Sequence, residues 1–281
     1  MMGGMTRALV LGGGGITGIA WEWGLLAGLA EAGVDLTAAD LVVGTSAGSV
    51  VGAQVASGLD PRERYRAQLE PPDGEVAAAL GPGVLLRYAV AMVGPGTPAR
   101  ARARIGRMAL RATTEPESAR IQVIESRLPV REWPDRPLLV TAVDAGSGEF
   151  RVFDRDSGVP LVRAVAASCA VPGVWPPVTI DGQRFMDGGM RSSANADLAG
   201  GYERVVVLAP IARGLGQLTP VATQVEALRA RSRVALVTPD PAAVRAIGRN
   251  VLDPSRRAQA ARAGLAQARS VLGQVREVWA D

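Results

Sequence analysis

The sequence predicts an α/β fold: a three-layer sandwich with a mainly parallel central sheet and helices on both faces. Two short apolar runs near the start, residues 8–11 and 41–43, each end in a glycine-containing loop and give way to a helical pattern. Strand, loop and helix twice in succession is the signature of parallel strands joined by crossover helices. Apolar runs return at 138–143, 204–208 and 233–237, and Ala-rich helical stretches follow to the C-terminus. With 281 residues, 48% of them hydrophobic, the chain can bury such a sheet.

The elements follow in order. After Gly12-Gly13-Gly14-Gly15 a helix is expected over residues 16–32, with Gly33 just past its end as the C-terminal cap. The second strand leads into Gly44-Thr45-Ser46-Ala47-Gly48 and a helix to about Ser57. The uncharged stretch 41–59 is not a membrane span, because it holds four glycines with Thr45, Ser46, Ser49, Gln54 and Ser57 and divides into strand, turn and helix. From Pro61 to Pro98 proline and glycine punctuate the chain, and between two Gly-Pro-Gly triplets lies the apolar segment 84–93. That segment is too short to cross a bilayer and reads equally as a lid or lipid-contact element and as a buried core helix. Helical residues are expected over 99–128, strands at 138–143 and 150–153, a helix at 161–167, and a short hairpin before Asp187-Gly188-Gly189. The expected organisation is one domain over 6–281, best defined over 8–199, with a helical C-terminal region at about 240–280.

Composition removes whole chemistries. The chain has no His and no Lys, so all 31 basic residues are Arg, and it has a single Cys. A Ser-His-Asp triad is impossible, as are a Ser-Lys dyad, a Schiff base and a phosphate-loop lysine. Too few ligands remain for a usual zinc site, although carboxylates could still hold Mg²⁺ or Ca²⁺. No cofactor is expected. No intrachain disulfide can form, and Cys169 reads as a small packing residue, which fits a reducing compartment. The start of the chain lacks signal-peptide organisation, so a cytoplasmic location is expected. The net charge of +4 reads first as an Arg-preferring solvated surface and second as attraction to anionic lipid or nucleic acid. The cluster Arg100, Arg102, Arg104, Arg107 and Arg111 has no interleaved aromatics, and aromatics are 4% of the chain, so no nucleic-acid partner is expected.

Three motifs carry the remaining chemistry. Gly44-Thr45-Ser46-Ala47-Gly48 fits G-x-S-x-G, which sets a serine on a sharp strand-to-helix turn beside a helix N-terminus. An ordinary N-capping serine fits the same residues about as well. Gly13-Gly14-Gly15-Ile16-Thr17-Gly18 matches the dinucleotide fingerprint G-x-G-x-x-G, but the next strand ends without the acidic residue that holds the ribose. The same run serves as an oxyanion loop, its backbone N–H groups aimed at one developing charge. Asp187-Gly188-Gly189 is by itself a plain Asp-Gly turn; it gains meaning because a serine nucleophile needs a base and only carboxylates are on offer.

In order and approximate spacing these pieces resemble the patatin-like phospholipase family, with its glycine-rich loop, G-x-S-x-G elbow and late D-G-G/A motif. The segment Ala167-Ser168-Cys169-Ala170-Val171-Pro172-Gly173 is similar to the family's approach to D-G-G, and the likeness runs over about 8–199. The resemblance implies a patatin-like three-layer fold and a serine lipid acyl hydrolase. It implies a Ser46–Asp187 catalytic dyad that needs no histidine, an oxyanion hole at Gly13, Gly14 and Gly15, and motif glycines Gly18, Gly44, Gly48, Gly188 and Gly189. The implied partner is a lipid or acyl ester, with peripheral contact at a membrane surface and no transmembrane segment. One departure stands out. Thr17 occupies a part of the loop where the family usually has Arg or Lys, which implies weaker support for an anionic headgroup. A nucleotide-binding protein using Gly13–Gly18 and a weakened patatin-like scaffold remain as alternatives. Glu22 and Asp181 are the next carboxylates near the glycine loop and the D-G-G hairpin.

Overall fold

A computed structural model describes residues 6–71, 78–79, 81–93, 95–212 and 218–280. In chain order the elements are β1 (Arg7–Leu11), α1 (Gly15–Glu31), β2 (Leu41–Gly44), α2 (Ala47–Ala56), α3 (Pro61–Leu69), α4 (Pro82–Val93), α5 (Pro98–Leu110) and α6 (Glu117–Ser126). There follow β3 (Leu138–Asp144), β4 (Phe150–Phe153), α7 (Leu161–Ser168), β5 (Val178–Ile180) and β6 (Gln183–Asp187). The chain ends with β7 (Arg204–Leu208), α8 (Val221–Arg229), β8 (Arg233–Val237), α9 (Pro241–Ile247) and α10 (Arg257–Trp279).

The sheet order is β5-β6-β3-β2-β1-β7-β8, with β4 pairing β3. The strands β3-β2-β1-β7-β8 are parallel, and β4, β5 and β6 pair antiparallel. Alternation along each strand makes two cores. Leu9, Leu11, Val42 and Val140 pack with α1, α2, α7 and α10 on one face. Ala8, Val10, Val43 and Val205 pack toward α8 on the other, where Val143 and Met186 meet Tyr88 of α4 and Ile105 of α5.

The register of β3 positions the site. Val140 lies between Gly44 of β2 and Phe153 of β4, while Ala142 lies between Asp187 of β6 and Arg151 of β4. Because β4 takes one edge throughout, β2 and β6 must share the other. They run toward each other along it and both stop at Thr141. A strand ending at Gly44 and a strand ending at Asp187 therefore meet head to head.

Several local expectations change. The stretch 99–128 is two helices, α5 and α6, because Pro116 cannot continue the first; it takes the N-cap position of the second instead. The loose region after Pro61 opens with α3, started by Asp60, whose side chain accepts from Arg62 and Glu63 N–H, and by Pro61 at the first turn. Helix α8 separates β7 from β8. Gly33 closes α1 as expected, with φ +81 and Val34 N–H returning to Leu29 O. The C-terminal region is part of one face layer: α10 lies on α1, and the buried Trp21 indole N–H donates to Gln267 at 2.9 Å. No helix among the described residues is long and apolar enough to cross a membrane.

Candidate active site

The site forms where the loops after β1 and β2 leave the sheet side by side. Leu11 is in register with Gly44, and Gly48 N–H reaches back to Gly12 O at 3.0 Å. A β-carbon at Gly48 would stand 2.1 Å from Leu11 O, so the residue after the elbow must be glycine for α2 to start this close to β1. Ser46 sits at φ 53, ψ −120, a left-handed conformation that a serine holds only when its surroundings impose it.

Three side chains impose it. Ser46 N–H donates to Ser168 Oγ at 2.9 Å, and Ser46 O accepts from Ser49 Oγ at 2.6 Å and from the Cys169 thiol at 3.2 Å. Cys169 thus does more than pack. Burial pushes its thiol up to about 11, which keeps it a donor and an inert one.

Asp187 ends β6 with its backbone N–H on Ala170 O. Its Oδ1 accepts from Gly189 N–H at 2.7 Å and its Oδ2 accepts from Ser46 Oγ at 2.7 Å. The carboxyl is 3% exposed, and its pKa is pushed up to about 6. Burial is the main cause; the bonds from Ser46 and Gly189 and the positive charge of Arg120 pull the other way. Gly188 packs against Thr141, where the two strands meet.

Asn195 holds the halves together. Its Nδ2 donates to Thr45 Oγ1 at 3.0 Å and Ser192 O at 2.9 Å, with longer bonds to Thr141 Oγ1 and Gly188 O, both 3.3 Å. Nothing in the sequence marked it, and its φ of 51 is a conformation Asn tolerates better than most residues. Asn195→Ala is expected to lower stability by roughly 1–3 kcal/mol, because buried oxygens lose their donor. Ester turnover should fall as well, as the elbow and β6 lose their register. Urea unfolding of the variant beside its ester kinetics checks both.

The glycine loop narrows the expected oxyanion donors. Gly13 N–H is engaged, donating to Ser193 O at 2.7 Å, because the loop folds down onto residues 192–195. Gly14 and Gly15 N–H make no backbone bond among the described residues, and Gly15 turns at φ 59 to begin α1. Gly18 packs beside Pro210 and Ala47 in the next turn of α1.

Thr17 is fully buried, its N–H and Oγ1 both directed to Val251 O. It faces the segment after α9 and has no open path to a headgroup. Thr17→Arg is therefore expected to lower the melting temperature by several degrees, through overpacking and a buried charge, with no gain in preference for anionic lipid. Differential scanning fluorimetry and a comparison of anionic with neutral lipid turnover test this.

The other carboxylates lie elsewhere. Asp181 is exposed in the β5–β6 turn, at the opposite end of β6 from Asp187. Glu22 is fully buried on α1 near Gly12, and burial holds its pKa well above the ordinary range.

Residues 9–199 match the family model for patatin-like phospholipases. A search of curated proteins finds no significant match. Among solved structures the chain is similar to VipD from Legionella pneumophila at 13% identity and a TM-score of 0.47, covering 96% of this chain and 67% of that one. It is similar to ExoU of Pseudomonas aeruginosa, in complex with SpcU, at 17% identity and a TM-score of 0.42, covering 99% of this chain and 53% of that one. The chain thus spans about two thirds of VipD and half of ExoU. The matched segment runs from β1 to just short of β7 and takes in most of the chain, which therefore belongs to the patatin-like phospholipase family.

Proposed function

We propose that this chain is a lipid acyl hydrolase in which Ser46 is the nucleophile and Asp187 its general base. The observation that carries the reading is the 2.7 Å bond from Ser46 Oγ to Asp187 Oδ2, made by a serine in a strained elbow and a carboxylate held near 6 by burial. Asp187 takes the hydroxyl proton as Ser46 Oγ attacks the ester carbonyl. Gly14 and Gly15 N–H receive the developing oxyanion, aided by the N-termini of α1 and α2. Collapse of the tetrahedral intermediate releases the alcohol, which takes its proton from Asp187. Water, deprotonated by the same carboxylate, then hydrolyses the acyl-serine and regenerates both groups.

The substrate class follows from the family and is a lipid ester, met at a membrane surface by a chain acting as one domain, on the cytoplasmic side. The nucleotide reading of the glycine loop has less support. Gly13 and Thr17 N–H are engaged with Ser193 O and Val251 O, and no acid ends β2. A fluorophosphonate probe tests the proposal. Covalent labelling that disappears in Ser46→Ala supports it; an unlabelled, folded wild-type protein overturns it in favour of a scaffold.

A further inference from the structure

The chain's positive charge is concentrated in one place. Residues 76–114 contain six arginines and no Asp or Glu, so the remaining 25 arginines face all 27 acids and the rest of the chain is slightly negative. This stretch carries α4 and α5. Along α5 and its C-cap residue Arg111, Arg100, Arg104, Arg107 and Arg111 recur at four, three and four residues, which sets them on one side of the helix. Arg104 is turned inward to the carbonyls of Ala91 and Pro95, tying α5 to α4. Arg87, Arg100, Arg107 and Arg111 are exposed and have no ion-pair partner among the described residues.

The same two helices expose apolar side chains. Leu86 is 66% and Val90 68% exposed, one turn apart on α4, and Leu110 is 41% exposed between Arg107 and Arg111. These are half of the large hydrophobics that stand exposed among the described residues. Scattered exposed leucines mean little, but apolar residues gathered among unpaired arginines form a surface of defined chemistry. The surface also lies next to the dyad. Tyr88, between Leu86 and Val90, turns inward, donates to Pro172 O at 2.6 Å and packs with Met186, the residue before Asp187. Asp187 is close enough for its charge to raise the Tyr88 phenol further.

We infer that α4 and α5 form a docking face for an anionic phospholipid surface, with Leu86, Val90 and Leu110 entering the interface and Arg87, Arg100, Arg107 and Arg111 meeting headgroup phosphates. Anionic lipid is the occupant that satisfies both halves of the surface, since arginines alone would suit nucleic acid but exposed aliphatic side chains give bases nothing to stack on. As a route for substrate to the dyad the assignment rests on the acyl-hydrolase reading; as a binding surface it is tested without catalysis.

The experiment uses the full chain carrying Ser46→Ala, so that vesicles stay intact, in a flotation assay. Vesicles of phosphatidylcholine are compared with vesicles containing added phosphatidylglycerol. The expected result is at least about tenfold tighter binding to the anionic vesicles, weakening as salt is raised. Changing Arg87, Arg100, Arg107 and Arg111 together to Gln should remove most of that preference, a loss of about tenfold or more. Leu86→Ser with Val90→Ser should weaken binding by about tenfold or more, with the melting temperature as the control for folding. Equal affinity for the two vesicle types, unchanged affinity in folded variants, or tighter binding to single-stranded DNA than to anionic vesicles would overturn the inference. Failure of wild-type Ser46 to label with fluorophosphonate, with Arg-dependent vesicle binding retained, would remove the hydrolase reading and leave the docking face standing.

Discussion

Ser46→Ala and Asp187→Asn should each lower kcat on a p-nitrophenyl ester by at least about 1,000-fold, and combining them should lower it little further. In the proposed dyad the two side chains act as a unit: without Asp187 the serine proton would have no acceptor, and without Ser46 there would be nothing for Asp187 to deprotonate. The chain contains no His or Lys to take over the proton. The variants should differ in stability. In the folded protein the Asp187 pKa is about 6, above its ordinary 3.8, so the native state binds the proton more tightly than the unfolded state. Stability from this group is full below the ordinary pKa and is lost as pH rises through about 6. Above that, the buried charge costs roughly 3 kcal/mol, which Asp187→Asn removes. The variant should therefore melt higher than wild type at pH 8 and close to it at pH 4. A folded Asp187→Asn enzyme with near-normal turnover would refute the assignment.

The sequence made the parallel strands and the elbow readable for a local reason. β1 and β2 each end at a glycine loop, and the helix that follows begins within a few residues, so apolar runs and glycine positions fall close to the boundaries of β1, α1, β2 and α2. The meeting of Ser46 with Asp187 is not local. It depends on β2 and β6 sharing one edge of β3, a long-range register that no residue pattern announces. Resemblance to a family supplied that pairing. The supports were hidden for a related cause: Ser168 and Asn195 are ordinary loop-type residues whose partners lie 122 and 150 positions away. Thr17 misled in the opposite direction. Its type suggested a lost headgroup contact, whereas its burial against Val251 gives it a packing role that only the placement of residues after α9 reveals. Pro116, by contrast, was a legible helix break that a reading of 99–128 as continuous passed over.

The pH dependence of kcat/KM should show a single acidic limb centred near pH 6, set by Asp187. The base must be ionised to accept the serine proton, so activity holds on the alkaline side and falls about tenfold per unit below the midpoint. A limb near 6 would ordinarily suggest imidazole, and here that group is absent from the whole chain. The cause is instead a carboxyl raised by burial at the head-to-head junction of β2 and β6. The alkaline side should be flat over a wide range. Burial raises both Tyr88 and Cys169, the latter to about 11, so neither loses its proton near neutral pH. Kinetics of wild type and Asp187→Glu, on a soluble ester whose leaving group does not titrate in the range, make the test. The midpoint should move in Asp187→Glu, because the longer side chain cannot keep both the Ser46 and Gly189 bonds that now lower the pKa. An unmoved limb would give the proton transfer to another group, and Glu22, buried beneath the glycine loop with its own pKa raised, would be the carboxyl to replace next.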